Sequence, residues 1–217
     1  MRGWRRRDFI VTAALATAGT GALATSRSAA NSGARILVVG DSMSAEYGLA
    51  RGSGWVALLQ QRLEQEKIAA TVVNASVSGD TSSGGRARLA ALLATHRPTH
   101  LVLELGGNDA LRGLPLANTE DNLRAMVRAA QQAGARVLLV GMQVPPNYGS
   151  DYARRFADLF ETVANAQKTA LVPFLLAGVA DGAEPTRLFQ ADRIHPNAQA
   201  QPLMLANVWP PLRQLLK

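Results

Sequence analysis

The chain has 217 residues, enough for one α/β domain with a sizeable core or at most two small ones. Hydrophobic residues make up 47% and charged residues 18%, ordinary for a globular protein and unlike a disordered one. The chain has no cysteine, which excludes disulfides, thiolate catalysis and cysteine-bound metal; three histidines speak against a histidine-rich metal site.

The formal net charge of +7 raises the question of a nucleic-acid partner. Its distribution argues against one. Residues 1–30 hold five arginines and one aspartate, while the remainder carries 18 basic and 15 acidic residues. No basic stripe with interleaved aromatics runs through that remainder, so a mildly basic solvated surface is expected and no nucleic acid.

Arg5-Arg6-Arg7 is followed by Asp8, Phe9 and Ile10 and by a small-residue apolar stretch to about Ala24. A membrane span needs about 20 strongly apolar residues, and alanine, threonine and glycine dilute this one, so no stable span is expected. A cationic start, a modest apolar middle and an Ala-x-Ala exit (Ala22-Leu23-Ala24, or Ser28-Ala29-Ala30) fit a cleaved signal peptide. The Arg-Arg-x-Phe-Ile order resembles the twin-arginine signal for exporting folded proteins; an ordinary secretory signal or a retained anchor is the alternative. The expected organisation is therefore a signal over 1–30, one folded domain over 31–217, and a periplasmic or secreted product.

From there apolar runs alternate with helical patterns. Ile36-Leu37-Val38-Val39 reads as a buried strand, Val56, Leu59 and Leu63 as a helix face, and Thr71-Val72-Val73 as a second strand. Leu89, Leu92 and Leu93 mark a helix, and Leu101-Val102-Leu103 a third strand. Leu123, Met126, Val127 and Ala130 form a helical stripe that Gly134 terminates. Val137-Leu138-Leu139-Val140 is a fourth strand, Tyr152 to Val163 another helix, and Leu171-Val172 a shorter fifth strand. A last helix starts after Asn197 and is expected to break or kink at Pro210-Pro211. Continuously apolar strands recurring about every 30 residues, with a helix between each pair, predict an α/β fold: a central parallel sheet of about five strands in a three-layer, flavodoxin-like sandwich.

In such sheets sites form beyond the carboxyl ends of the strands. After strand one stands Gly40-Asp41-Ser42; after strand two, Asn74 to Gly79 and Asp80-Thr81; after strand three, Gly106-Gly107-Asn108-Asp109; after strand five, Asp192-Arg193-Ile194-His195-Pro196. Taken singly, each reads as turn or cap chemistry. Together they supply every part that acyl transfer needs: a nucleophile, a base, an acid that orients the base, and oxyanion donors. A Gly-x-Ser-x-Gly elbow and a phosphate-binding glycine loop are both absent. His96 and His100 read as structural, and Asp41 and Asp109 as partners of nearby backbone.

Gly40-Asp41-Ser42, Gly79, Gly107-Asn108-Asp109 and Asp192-x-x-His195-Pro196 resemble, in order and spacing, the four blocks of the SGNH (GDSL-type) hydrolases. Val73 to Ser82, Leu103 to Gly113, Met142-Gln143 and Pro146-Asn147-Tyr148-Gly149 are similar to its bacterial branch of multifunctional acyl-CoA thioesterases, lysophospholipases and arylesterases. The resemblance implies Ser42 as nucleophile, His195 as base and Asp192 as its orienting acid. It implies the Ser42 and Gly79 N–H groups and the Asn108 side chain as oxyanion hole. It also implies Pro146, Asn147 and Tyr148 at the acyl site, a small-molecule ester or thioester substrate, and no cofactor. Met43 and Ala110 depart from the branch pattern and bear on acyl preference. A carbohydrate O-acetylesterase of the same superfamily, or a non-catalytic exported acyl- or glycan-binding module, are the rival readings. No feature of the sequence speaks to oligomeric state, and a monomer is expected.

Overall fold

The computed structural model describes residues 33–182, 184 and 186–217. The strands are β1 (Ala34–Gly40), β2 (Ala70–Asn74), β3 (His100–Glu104), β4 (Arg136–Val140) and β5 (Ala170–Val172). The helices are α1 (Trp55–Gln65), α2 (Ser82–His96), α3 (Gly107–Leu111), α4 (Leu116–Gln132), α5 (Ser150–Gln167) and α6 (Gln201–Leu215). The proposed export signal over residues 1–30 lies outside the described residues.

All five strands are parallel, in the order β2-β1-β3-β4-β5. Right-handed crossovers then dictate the layers. The step from β1 to β2 runs one way across the sheet and puts α1 on one face. The steps from β2 to β3, β4 and β5 run the other way and put α2, α4 and α5 on the opposite face. The packing agrees: α1 lies against α6, α2 against α4, and α4 against α5. Burial explains the strand composition. Leu37, Val38 and Val39 of β1 and Leu101, Val102 and Leu103 of β3 are covered on both faces and fully buried. The edge strand β2 is half-buried and carries the polar Thr71 and Asn74 at exposed positions. The predicted stripe of α4, Leu123, Met126, Val127 and Ala130, points into the core.

The last helix departs from expectation. It neither breaks nor stops at the proline pair but stays α-helical to Leu215 with Pro210 and Pro211 inside it. Two prolines remove two intrahelical N–H donors. Met204, Leu205, Val208, Trp209 and Leu212 are all buried on this helix, and that apolar contact holds it in place across the lost bonds.

The pairing of β1 with β3 sets Gly40 opposite Glu104. Only a glycine fits there. A Cβ at position 40 would stand 2.6 Å from the Glu104 Oε2 and 2.8 Å from the Ser44 Oγ. We therefore expect Gly40→Ala to cost about 1–3 kcal/mol through overpacking, seen as a lower urea midpoint. An unchanged midpoint would show that the Glu104 carboxyl moves aside freely.

Candidate active site

The chain reverses the sheet's direction of growth between β1 and β3, and the crevice between their carboxyl ends is where such folds bind ligands. Past Gly40 the chain coils through one tight turn. The Asp41 carbonyl accepts from the Ser44 and Ala45 N–H groups, and the Asp41 Oδ1 accepts from the Met43 N–H at 3.0 Å. Ser42 is thereby lifted to the top of the turn, half-buried, and its own N–H is donated to no acceptor among the described residues.

His195 arrives from the other end of the chain. Its loop, between β5 and α6, doubles back as a small hairpin in which Phe189 bridges Pro196 and the Gln190 N–H donates to the His195 carbonyl at 2.8 Å. The Asp192 Oδ1 accepts from the Ile194 and His195 N–H groups, at 2.9 and 3.0 Å, and its Oδ2 meets the His195 Nδ1 at 2.7 Å. The His195 Nε2 lies 2.9 Å from the Ser42 Oγ, across 153 residues of chain. The His195 backbone N–H, its ring, and the Ile194 N–H hold the Asp192 carboxyl below its ordinary 3.8, down to about 2. An acceptor that stays charged fixes the proton on the Nδ1, which leaves the Nε2 lone pair facing the serine.

The two other predicted donors stand at neighbouring strand ends. Gly79 is exposed, its N–H is uncommitted among the described residues, and its carbonyl accepts from the Arg112 Nη2 at 2.9 Å. The Asn108 Nδ2 donates to the Asp41 Oδ2 at 3.0 Å. That bond fixes which way the amide points and leaves its second N–H free. Arg88 of α2 ties these loops together: it donates to the Asp80 carboxylate at 2.8 Å, to the Ala75 carbonyl, and to the Gly40 carbonyl at 3.4 Å.

Asp41 thus bonds backbone as expected, and Asn108 besides. Asp109 is different: its partners are not local but Ser82 and Thr119, on α2 and α4. His100 is structural, bonding the Thr99 hydroxyl and the Leu215 carbonyl, and burial lowers its basicity. Residues 146–148 form a short 3-10 turn after β4, with Tyr148 exposed; no side-chain hydrogen bond among the described residues joins Asn147 or Tyr148 to Ser42, Asp192 or His195.

Glu104 and Arg88 are absent from the sequence reading. Glu104 is fully buried, and its Oε2 accepts from the Ser44 hydroxyl at 2.7 Å and the Asp41 N–H at 3.3 Å. Its signal was present: one acid inside the apolar run Leu101-Val102-Leu103-Glu104-Leu105. Burial and the adjacent Asp41 push the Glu104 carboxyl well above its ordinary range. Burial likewise raises Asp41 to about 6, against the pull of its Met43 and Asn108 bonds.

Residues 38–202 match the GDSL-like lipase/acylhydrolase family. Over 83% of its length the chain is 55% identical to the Pseudomonas aeruginosa protein named esterase TesA, covering 89% of that protein. It is 40% identical to the Escherichia coli protein named thioesterase 1/protease 1/lysophospholipase L1, over 78% of each chain. The crystal structure of the esterase EstA from Pseudoalteromonas sp., inhibited by monoethylphosphonate, superposes with a TM-score of 0.78 at 39% identity, covering 84% of this chain and 98% of that one. A sheet order with its crevice between β1 and β3, these sequence relatives and this structural likeness lead to one conclusion: the chain belongs to the GDSL-like lipase/acylhydrolase family of ester-cleaving enzymes.

Proposed function

We propose that this enzyme hydrolyses carboxylic esters and acyl thioesters through a serine-bound acyl intermediate, with Ser42, His195 and Asp192 as catalytic residues. One observation carries the assignment: the imidazole of His195 bridges the Ser42 Oγ and the Asp192 Oδ2 at 2.9 and 2.7 Å. As the Ser42 Oγ attacks the carbonyl carbon, its proton passes to the His195 Nε2. The new negative oxygen is held by the N–H groups of Ser42 and Gly79 and the free N–H of Asn108. When the tetrahedral adduct collapses, the alkoxide or thiolate leaves with the proton from His195. Water then attacks the acyl-serine, giving its proton to His195, and the acid departs as Ser42 is restored.

The exposed apolar side chains support a substrate with an acyl chain longer than acetyl. Val77, Leu111, Leu114, Tyr148 and Ile194 stand on loops or short elements after β2, β3, β4 and β5, at the end of the sheet that carries Ser42. We assign residues 146–148 to this acyl-binding rim. The names of the Escherichia coli and Pseudomonas aeruginosa relatives favour acyl thioesters, lysophospholipids and simple esters as the class to assay. The sequence of residues 1–30 supports export by a twin-arginine-type signal and a periplasmic or secreted site of action.

Ser42→Ala and His195→Ala are expected to lower turnover of p-nitrophenyl butyrate at least about 10⁴-fold. Asn108→Ala is expected to lower kcat about 10²–10³-fold with little change in KM. Near-normal turnover by Ser42→Ala would overturn the assignment. In a series of p-nitrophenyl esters, a medium or long acyl chain should be cleaved faster than acetate; a sharp acetate optimum would favour an acetylesterase.

Two carboxyl groups give stability opposite pH dependences. Asp192 is lowered on folding, so its contribution is present above about 4 and lost as the pH falls toward 2. Asp41 is raised, so the folded state binds that proton more tightly and loses stability as the pH rises from about 4 to about 6. The stability of Asp41→Asn relative to wild type, from urea unfolding, should therefore improve between pH 4 and pH 7. A difference that does not change with pH would contradict the buried charge.

A further inference from the structure

Hydrogen bonds at both ring nitrogens of His195 fix where those atoms point, but they leave the imidazole free to tilt about the line joining them. The loop that carries it offers little packing. Asp192, Arg193 and Ile194 are exposed, and the hairpin is closed mainly on itself. Two residues of that region supply what is missing. The Tyr47 ring lies on the His195 ring with centroids 4.3 Å apart and planes inclined at 38°. Gln190, at the base of the hairpin, donates its side-chain amide to the Tyr47 carbonyl at 2.8 Å and to the Pro196 carbonyl at 3.1 Å.

The fit around Gln190 is specific. Both acceptors are carbonyl oxygens, so only the NH₂ end of the amide can face them. Gly48 completes the arrangement. It has a φ of +69° and lies so close that a Cβ there would sit 2.0 Å from the Gln190 Oε1. Among the described residues, the side-chain hydrogen bonds between the turns after β1 and this hairpin are two: His195 to Ser42, and Gln190 to Tyr47. The first is the reacting contact itself, so the second holds the two loops in register while the first breaks and re-forms.

We propose that Tyr47 and Gln190 are positioning residues for the base: Gln190 clasps the nucleophile's loop to the histidine's loop, and the Tyr47 ring fixes the tilt of the His195 imidazole. This rests on His195 being the base. The clasp acts on the geometry of proton transfer, so it governs kcat more than substrate affinity. Misplacement of a reacting group by about 1 Å costs on the order of 10²-fold in rate.

The test compares Gln190→Ala, Gln190→Glu, Tyr47→Phe and Tyr47→Ala with wild type, using p-nitrophenyl butyrate kinetics, the rate of Ser42 labelling by a fluorophosphonate, and thermal unfolding. Gln190→Ala should lower kcat and the labelling rate in parallel, about 10- to 100-fold, with KM nearly constant. Gln190→Glu keeps the shape but sets a carboxylate against two carbonyls, and should do no better. Tyr47→Phe keeps the ring and should retain kcat, whereas Tyr47→Ala should lose about tenfold; Tyr47 is half-exposed, so this variant folds even where Gln190→Ala does not. Wild-type kcat in Gln190→Ala and Tyr47→Ala, a loss confined to KM, or an equal loss in Tyr47→Phe and Tyr47→Ala would overturn the clasp. If His195→Ala also kept its turnover, the failure would lie with the assignment of the base.

Discussion

The pairing of β1 with β3 is the contact on which the rest of the site depends. These two strands are consecutive in space but not in sequence, and the sheet grows away from them in opposite directions. Their carboxyl ends therefore have no crossover helix packed between them, and the loops that follow diverge around a crevice. Ser42 rises from one side and Asn108 from the other. The register sets Gly40 opposite Glu104: Gly40 has no side chain, and the carboxyl of Glu104 occupies the room. Shifting β3 by one residue would turn Glu104 to the other face and remove the support beneath the Ser42 turn.

That support is polar in an otherwise apolar core. Glu104 and Asp41 are both buried, and mutual proximity opposes charging both. Glu104 accepts from the Ser44 hydroxyl and the Asp41 N–H, while Asp41 accepts from Met43 and Asn108. The network costs stability, since burying carboxyl groups is unfavourable even when they are hydrogen-bonded. What it secures is aim. The Asn108 amide and the turn that presents Ser42 share one acceptor, Asp41, and so are held relative to each other rather than separately. Arg88 extends the same logic to the third loop through Asp80, Ala75 and Gly40.

His195 is held differently. It sits on an exposed hairpin, far from any strand end in sequence, with the Asp192 carboxylate bonded to its backbone N–H and to its Nδ1. Local hydrogen bonds fix the Asp-His pair as a unit. Docking of the hairpin falls to the few contacts that reach across to the Ser42 loop.

Much of this was legible in the amino-acid order. Recurring apolar runs with helices between them pointed to a parallel sheet, because strands covered on both faces are apolar throughout, and the half-buried edge strand β2 interrupts its run with exposed Thr71 and Asn74. The spacing Asp192-x-x-His195 pointed to a carboxylate within reach of the imidazole, since one turn brings them together. The proline pair in α6 does not break the helix, because local helix propensity is outweighed when five buried side chains anchor the helix to the core. Other features were decided only by the tertiary structure: that Gly40 is a glycine to make room for Glu104, that Asp41 serves Asn108, that Asp109 reaches Ser82 and Thr119, and that Tyr47 covers His195. Each joins residues far apart in the chain. Sequence periodicity reports which face of an element is buried, but it carries no information about which distant polar groups will meet there. That is fixed by strand register and loop docking, which exist only once the chain has folded.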